Sequence, residues 1–207
     1  MSAATRWHLL RHAPAAVAKG TIYGRTDVSA EPQDPAVLNR IAARLPTDAT
    51  LVTTPLRRTA ETAEMLRSAG WVASAETIEP AFREQDFGAW EGRTHAGLAE
   101  GGSPDYAAFW DDPARNRPPG GESFADLAAR VAPALAGLNA THAGRDIVVI
   151  GHGGSIRAIL SVVLKLTPEV ALSLDIAPLS LSLADHFAGT GALPPWRLRG
   201  INLPPDN

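Results

Sequence analysis

Three short clusters in this chain combine histidine, arginine and glycine in ways that suit a phosphoryl group. They are Leu10-Arg11-His12-Ala13, Thr54-Pro55-Leu56-Arg57-Arg58-Thr59 and Gly151-His152-Gly153-Gly154. A phosphoryl dianion calls for planar, permanently charged donors, and an arginine fork meets two of its oxygens at once. Arg11 and Arg57 are the candidate forks, while Gly153 and Gly154 lack side chains that would block backbone approach to a ligand. Two histidines, His12 and His152, around one phosphate leave one imidazole as nucleophile and one as stabiliser. Each cluster alone also has a plain structural reading. His12 can be an ordinary strand-end histidine, Gly-His-Gly-Gly a strand-to-helix turn, and Thr-Pro-Leu-Arg a capped helix whose arginine points to solvent.

The elements that must position these clusters are legible from local pattern. Arg6 to Leu10 reads as a strand, Ala36 to Leu45 as a helix closed by Pro46, and Leu51 to Thr53 as a short buried strand. Thr54 suits a helix N-cap with Pro55 at the first helical position, and that helix should run to about Ala69 and stop at Gly70. Arg57 then lies in the first turn, where the helix dipole favours an anion. Residues 81 to 119 are irregular and aromatic, an excursion of short helices that suits a lid. Ser123 with Asp126 resembles a capping box for a helix reaching about Thr141. Asp146 to Ile150 is a strand of consecutive β-branched residues, followed by a helix from Ser155 to Leu164. Leu179 to Ala184 and Trp196 to Ile201 read as strands, and the Pro-rich tail from Leu203 to Asn207 as frayed.

Strands alternating with helices imply a three-layer α/β/α sandwich with a mostly parallel central sheet. Residues 1–207 read as a single domain, with 81–119 as a lid-like insertion. All three clusters follow predicted strands, where such a sheet binds its ligands.

Composition excludes several chemistries. The chain has no cysteine, so disulfides, thiolate metal sites and cysteine nucleophiles are absent. A formal charge of -3 argues against nucleic acid as the main partner. The start, Met1 to Arg6, has no apolar core of a signal peptide, and the apolar runs Ile147 to Ile150 and Ile156 to Leu164 are too short to span a bilayer. The expectation is a cytoplasmic protein with a small phosphorylated substrate and no membrane partner; the oligomeric state is open. The spacing His8-Leu9-Leu10-Arg11-His12 does not make a zinc site, because a strand holds the two histidines roughly 13 Å apart.

Taken together and in order, the motifs resemble those of the histidine phosphatase superfamily, the phosphoglycerate-mutase-like fold. Leu10-Arg11-His12-Ala13 is similar to its first signature, with Ala13 in the glycine place. Thr54 to Ala63 resembles the second, Phe82-Arg83-Glu84-Gln85-Asp86-Phe87-Gly88-Ala89-Trp90-Glu91-Gly92 the third, and Gly151 to Gly154 the fourth. The resemblance implies a phosphohistidine on His12, phosphoryl oxygens held by Arg11, Arg57 and His152, and Glu84 as proton donor to the leaving group. It implies no metal and no organic cofactor. Pro14-Ala15-Ala16-Val17-Ala18 departs from the mutase-like members, which carry an acidic residue and then an asparagine here.

His12 must be neutral to attack, which neighbouring arginines favour. Glu84 must carry a proton, and a bound dianion would offset the arginines that favour its carboxylate. Arg25, in Tyr23-Gly24-Arg25-Thr26-Asp27-Val28, is a candidate to face the substrate. Trp90 and Trp110 read as packing under the lid, with stacking on a substrate ring as the alternative. His95, His142 and His186 read as solvated. Residues 23 to 28, the compact length and Pro118-Pro119-Gly120-Gly121-Glu122-Ser123 look like the α-ribazole phosphatase branch. The expected activity is hydrolysis of a small phosphomonoester, with α-ribazole 5'-phosphate as candidate substrate. The alternatives are a phosphoglycerate mutase and a non-catalytic phospholigand-binding domain.

Overall fold

The computed structural model describes residues 3–189 and 194–205. The elements run β1 (Thr5–Arg11), α1 (Pro35–Arg44), β2 (Ala49–Thr53), α2 (Arg57–Ser68) and β3 (Ala75–Ile78). After two single 3-10 turns, Pro80–Phe82 and Gly88–Trp90, come α3 (His95–Glu100), α4 (Pro104–Phe109) and α5 (Phe124–Thr141). The chain then forms β4 (Asp146–Gly151), α6 (Gly153–Leu164), α7 (Pro168–Leu172), β5 (Leu181–His186) and β6 (Trp196–Leu203).

The six strands form one sheet in the order β3-β2-β4-β1-β5-β6. The pairings among β1, β2, β3 and β4 are parallel, and β5 runs antiparallel to both β1 and β6. The expected mostly parallel sheet is therefore present. Alternation along the strands makes two cores. Trp7, Leu9, Ile147 and Val149 pack with α5 and α6 on one face. Leu10, Val148 and Ile150 pack with α1 and α2 on the other. Burying both faces makes the sheet the middle of three layers and explains the continuous apolar run of β4.

Several local expectations need correction. Thr54 does not cap α2, which begins at Arg57 after Leu56, and no side chain of Leu56 caps it. Instead the Arg57 amide donates to Asp27 Oδ1 at 2.7 Å, so a loop 30 residues away supplies the cap. Two elements, β3 and α7, lie where no regular structure was expected; β3 is a fully exposed edge strand without an apolar pattern to betray it. Leu203 is not frayed but ends β6, and the Pro204 carbonyl accepts from Arg44 Nη1 at 2.6 Å. Asp206 and Asn207, like Met1 and Ser2, lie outside the described residues. The Ser123 capping box is formed as expected, with Ser123 Oγ accepting from the Asp126 amide at 3.1 Å and Asp126 accepting from the Ser123 amide at 2.9 Å. Among the described residues no helix is long and apolar enough to cross a membrane.

Candidate active site

The parallel pairing of β1 with β4 brings Arg11 opposite Gly151, so His12 and His152 emerge side by side at the carboxyl end of the sheet. Their ring centroids are 5.1 Å apart at an interplanar angle of 64°. Both are buried, and Arg58 lies between them with its side chain fully buried. One N–H of that guanidinium, on Nε, forks to His12 Nε2 and His152 Nδ1, each at 3.2 Å. Its terminal nitrogens donate to the carbonyls of Thr26 at 2.9 Å and Gly24 at 2.7 Å, and it stacks 5.1 Å over the Tyr23 ring. The 23–27 loop is thus the clamp that aims this charge.

Fixed donors and acceptors set the tautomers. His12 Nδ1 lies 2.5 Å from the Ala13 carbonyl, which can only accept, so the proton sits on Nδ1 and the Nε2 lone pair faces inward. His152 Nδ1 accepts from Arg58 Nε, which can only donate, so its proton sits on Nε2, 2.9 Å from Thr54 Oγ1. Burial, with the Arg58 charge next, pushes the His12 pKa down to about 3, and the same two causes hold His152 well below the usual histidine range. Both imidazoles are neutral at physiological pH.

Arg11 approaches from the end of β1. Its Nη1 donates to the Ile176 carbonyl at 2.5 Å, while its Nε is buried with no hydrogen-bond partner. The guanidinium abuts the start of α6: a Cβ on Gly153 would stand 3.5 Å from Arg11 Cζ, ordinary contact. Gly154 is the glycine the site requires. A Cβ there would come within 2.2 Å of Glu84 Oε1. With hydrogen in that place, Glu84 Oε2 accepts from the Gly154 amide at 3.1 Å and Oε1 from the Gln85 amide at 2.9 Å. The carboxylate therefore sits on the N-terminus of α6, close enough to Arg58 to interact with its charge.

The expected site residues divide accordingly. His12, His152, Arg11, Glu84 and Gly153 converge at one end of the sheet. Arg57 does not. Its side chain is 54% exposed, and its guanidinium pairs with Glu61 Oε1 at 2.8 Å across one turn of α2. Consecutive helical residues point about 100° apart, so only one of the two adjacent arginines can face inward, and it is Arg58. Periodicity carried that signal, since Arg58, Thr59, Thr62, Ala63 and Leu66 form the buried stripe of α2.

Arg25 does not meet the catalytic pair directly; it donates to Asp86 Oδ2 and Glu122 Oε1, both at 3.0 Å. Glu122 in turn accepts from Arg130 Nη2 at 2.7 Å, and that nitrogen donates to the carbonyls of Arg83 at 2.9 Å and Glu84 at 3.0 Å. Arg25, Asp86, Glu122 and Arg130 thereby fix the backbone on either side of Glu84. Local pattern does not reveal Arg130, which only the packing of α5 brings here. His8 pairs at 3.4 Å with Asp146 at the opposite end of the strands, away from His12. Of the three other histidines, His95 is exposed as expected, while His142 and His186 are partly buried, and each has a neighbour. His95 Nδ1 lies 3.0 Å from the Tyr106 hydroxyl, His142 Nδ1 lies 3.3 Å from Thr50 Oγ1, and the His186 ring meets that of Trp196 at a tilt of 58°. Among the described residues no group of three or more histidine or acidic side chains is placed to hold a metal ion.

The chain resembles known proteins over part of its length. The chain is similar to the bifunctional protein Rv2228c of Mycobacterium tuberculosis, with 33% identity over 140 residues that cover 68% of this chain and 38% of that protein. It is similar to the glucosyl-3-phosphoglycerate phosphatase of the same organism, with 35% identity over 125 residues that cover 56% of this chain and 54% of the relative. The chain thus spans about half or less of the length of these relatives. In fold it resembles a putative α-ribazole-5'-P phosphatase of Escherichia coli, with a TM-score of 0.82, 22% identity and 96% of each chain covered. The family model of the histidine phosphatase superfamily (branch 1) matches residues 7–198, and the chain belongs to that family.

Proposed function

We propose that this chain hydrolyses a small phosphomonoester through a phosphohistidine at His12 Nε2. The observation that carries the reading is the buried Arg11 Nε without a partner, beside two neutral imidazoles and the buried Arg58. An unmade buried donor costs about 1–3 kcal/mol, a cost that a bound phosphoryl oxygen would remove. Arg11, Arg58, His152 and the α6 N-terminus hold the phosphoryl oxygens. The His12 lone pair attacks phosphorus as the bond to the ester oxygen breaks. Glu84 gives its proton to that oxygen, and the alcohol leaves. A water then attacks the phosphohistidine, Glu84 takes a proton from it, and orthophosphate and free His12 are restored. The backbone network through Arg25, Asp86, Glu122 and Arg130 keeps Glu84 over the reacting oxygen. Positioning and charge carry most of the rate, as phosphoryl transfer requires.

Residues 81–119 wall the leaving-group side in this reading. The resemblance of residues 23–28 and 118–123 to the α-ribazole branch makes α-ribazole 5'-phosphate the candidate substrate. The test is rapid quench with p-nitrophenyl phosphate in wild type and His12→Ala, with circular dichroism on both. Wild type should form an acid-labile phosphoenzyme, and His12→Ala should form none, with less than a few per cent of the turnover. A folded His12→Ala protein with substantial turnover would remove His12 from the nucleophile role. Released phosphate from 3-phosphoglycerate, rather than 2-phosphoglycerate, separates a phosphatase from a mutase.

A further inference from the structure

A cavity of about 290 Å³ is lined by Phe87, Trp90, Tyr106, Phe109, Trp110 and Arg157. Its lining includes the chain neighbours of two residues of the site. Gln85 and Ile22 line it, and these directly adjoin Glu84 and the Tyr23 that packs on Arg58. Arg157 lies near enough to both Glu84 and Arg11 for their charges to act on it.

The walls are rings set edge to face. Trp90 meets Tyr106 at 5.3 Å and Phe109 at 5.2 Å, and Trp110 meets Tyr106 at 5.9 Å. Trp90 is 3% exposed and completes the wall from within, whereas Trp110 is 53% exposed and keeps a bare indole at the cavity. A large exposed ring continuous with an apolar cavity marks a ligand site better than a packing defect.

Several polar groups on the lining are already committed. The Gln85 amide donates to the Glu122 carbonyl at 2.9 Å, and His95 Nδ1 is paired with the Tyr106 hydroxyl. Arg157 Nε donates to the Leu174 carbonyl at 2.6 Å, and Arg157 is the permanently charged side chain on a lining dominated by aromatic and apolar groups. A polyhydroxyl group entering here would lose its water for few hydrogen bonds in return, and that loss is costly. A flat apolar ring meets no such penalty.

We propose that this cavity is the leaving-group subsite and takes an aromatic ring, so that the substrates are phosphomonoesters of alcohols carrying a flat ring a few bonds from the ester oxygen. Trp110 is the specificity-determining residue that stacks on that ring. The inference rests on the phosphatase reading, so its test has one arm that needs no turnover.

In that arm, 2-phenylethylphosphonate and ethylphosphonate, which share a non-hydrolysable head group, are titrated into the protein by calorimetry. The ring should tighten binding about 30-fold, from the apolar area it removes from water. In Trp110→Ala that ratio should fall about tenfold, and in Trp110→Phe it should stay within about threefold of wild type, because a ring is retained. In the second arm, 2-phenylethyl phosphate should exceed ethyl phosphate in kcat/KM by a similar ratio, the two leaving alcohols being of similar basicity. A binding ratio near one in wild type, or a ratio unchanged in Trp110→Ala, overturns the subsite. A ring preference in binding with no phosphate released from either ester keeps the subsite and overturns the phosphatase reading instead.

Discussion

Replacing each of the two adjacent arginines of α2 separates a charge that faces the reaction from one that faces solvent. In Arg57→Ala the lost contact is an exposed i,i+4 pair with Glu61, worth about 0.3–0.5 kcal/mol of stability. The backbone cap from Asp27 survives, and turnover should stay within about twofold of wild type. In Arg58→Ala the site loses the fork to both imidazoles and the donors to Gly24 and Thr26. Loss of one well-aimed donor to a developing anion costs about 100- to 1,000-fold in kcat, or about 2.7–4 kcal/mol. Stability is the poorer readout, because orphaning two carbonyls and releasing a buried charge act in opposite directions. Arg58→Lys serves as the control: it keeps the charge but not the fork, and should recover little of the rate. The assay is kcat and KM on p-nitrophenyl phosphate, with the inhibition constant of orthophosphate. The Arg58 charge also depresses the His12 pKa, so its removal should move the acid limb of kcat/KM to higher pH. Equal losses for Arg57→Ala and Arg58→Ala, or a loss below tenfold for Arg58→Ala, would refute this assignment.

The remaining expectations concern Glu84, proton binding and metals. Glu84→Gln should cost about 100- to 10,000-fold on sugar phosphates and much less on p-nitrophenyl phosphate, whose leaving group needs no proton; equal losses would make Glu84 a positioning residue. Gly154→Ala should show the same selectivity for poor leaving groups, because its Cβ would displace a carboxylate that stands 2.2 Å from that point, and equal losses on both esters would place the damage elsewhere. His12 binds a proton near pH 3 in the folded chain but near 6.5 once unfolded. Its contribution to stability is therefore full above pH 6.5 and lost progressively as pH falls toward 3. Urea unfolding of wild type and His12→Gln at pH 7 and 4.5 should differ by that slope, and parallel curves would count against it. Activity should persist in EDTA, since two arginines and a helix N-terminus already balance the phosphoryl charge; a complete loss reversed by metal would overturn that.

What the sequence determined by itself is whatever short-range pattern encodes. The β-branched run of β4, the Ser123–Asp126 capping box and the order of the motifs placed the strands, the long helix and the histidines at strand ends. Each depends on neighbours within a few residues, where propensity and capping act. Tertiary structure decided three things. It decided that His12 and His152 meet, because a parallel register pairs β1 with β4 across more than a hundred residues. It decided that Arg58 rather than Arg57 stands between them, through the face of α2 that the sheet buries, the face that carries Thr59, Thr62, Ala63 and Leu66. It also decided that Glu84 is held by Gly154 and by a network from α5 and the 23–27 loop, contacts with no local signature. Periodicity tells which way a side chain points, but only the packing of distant elements tells what it will meet there.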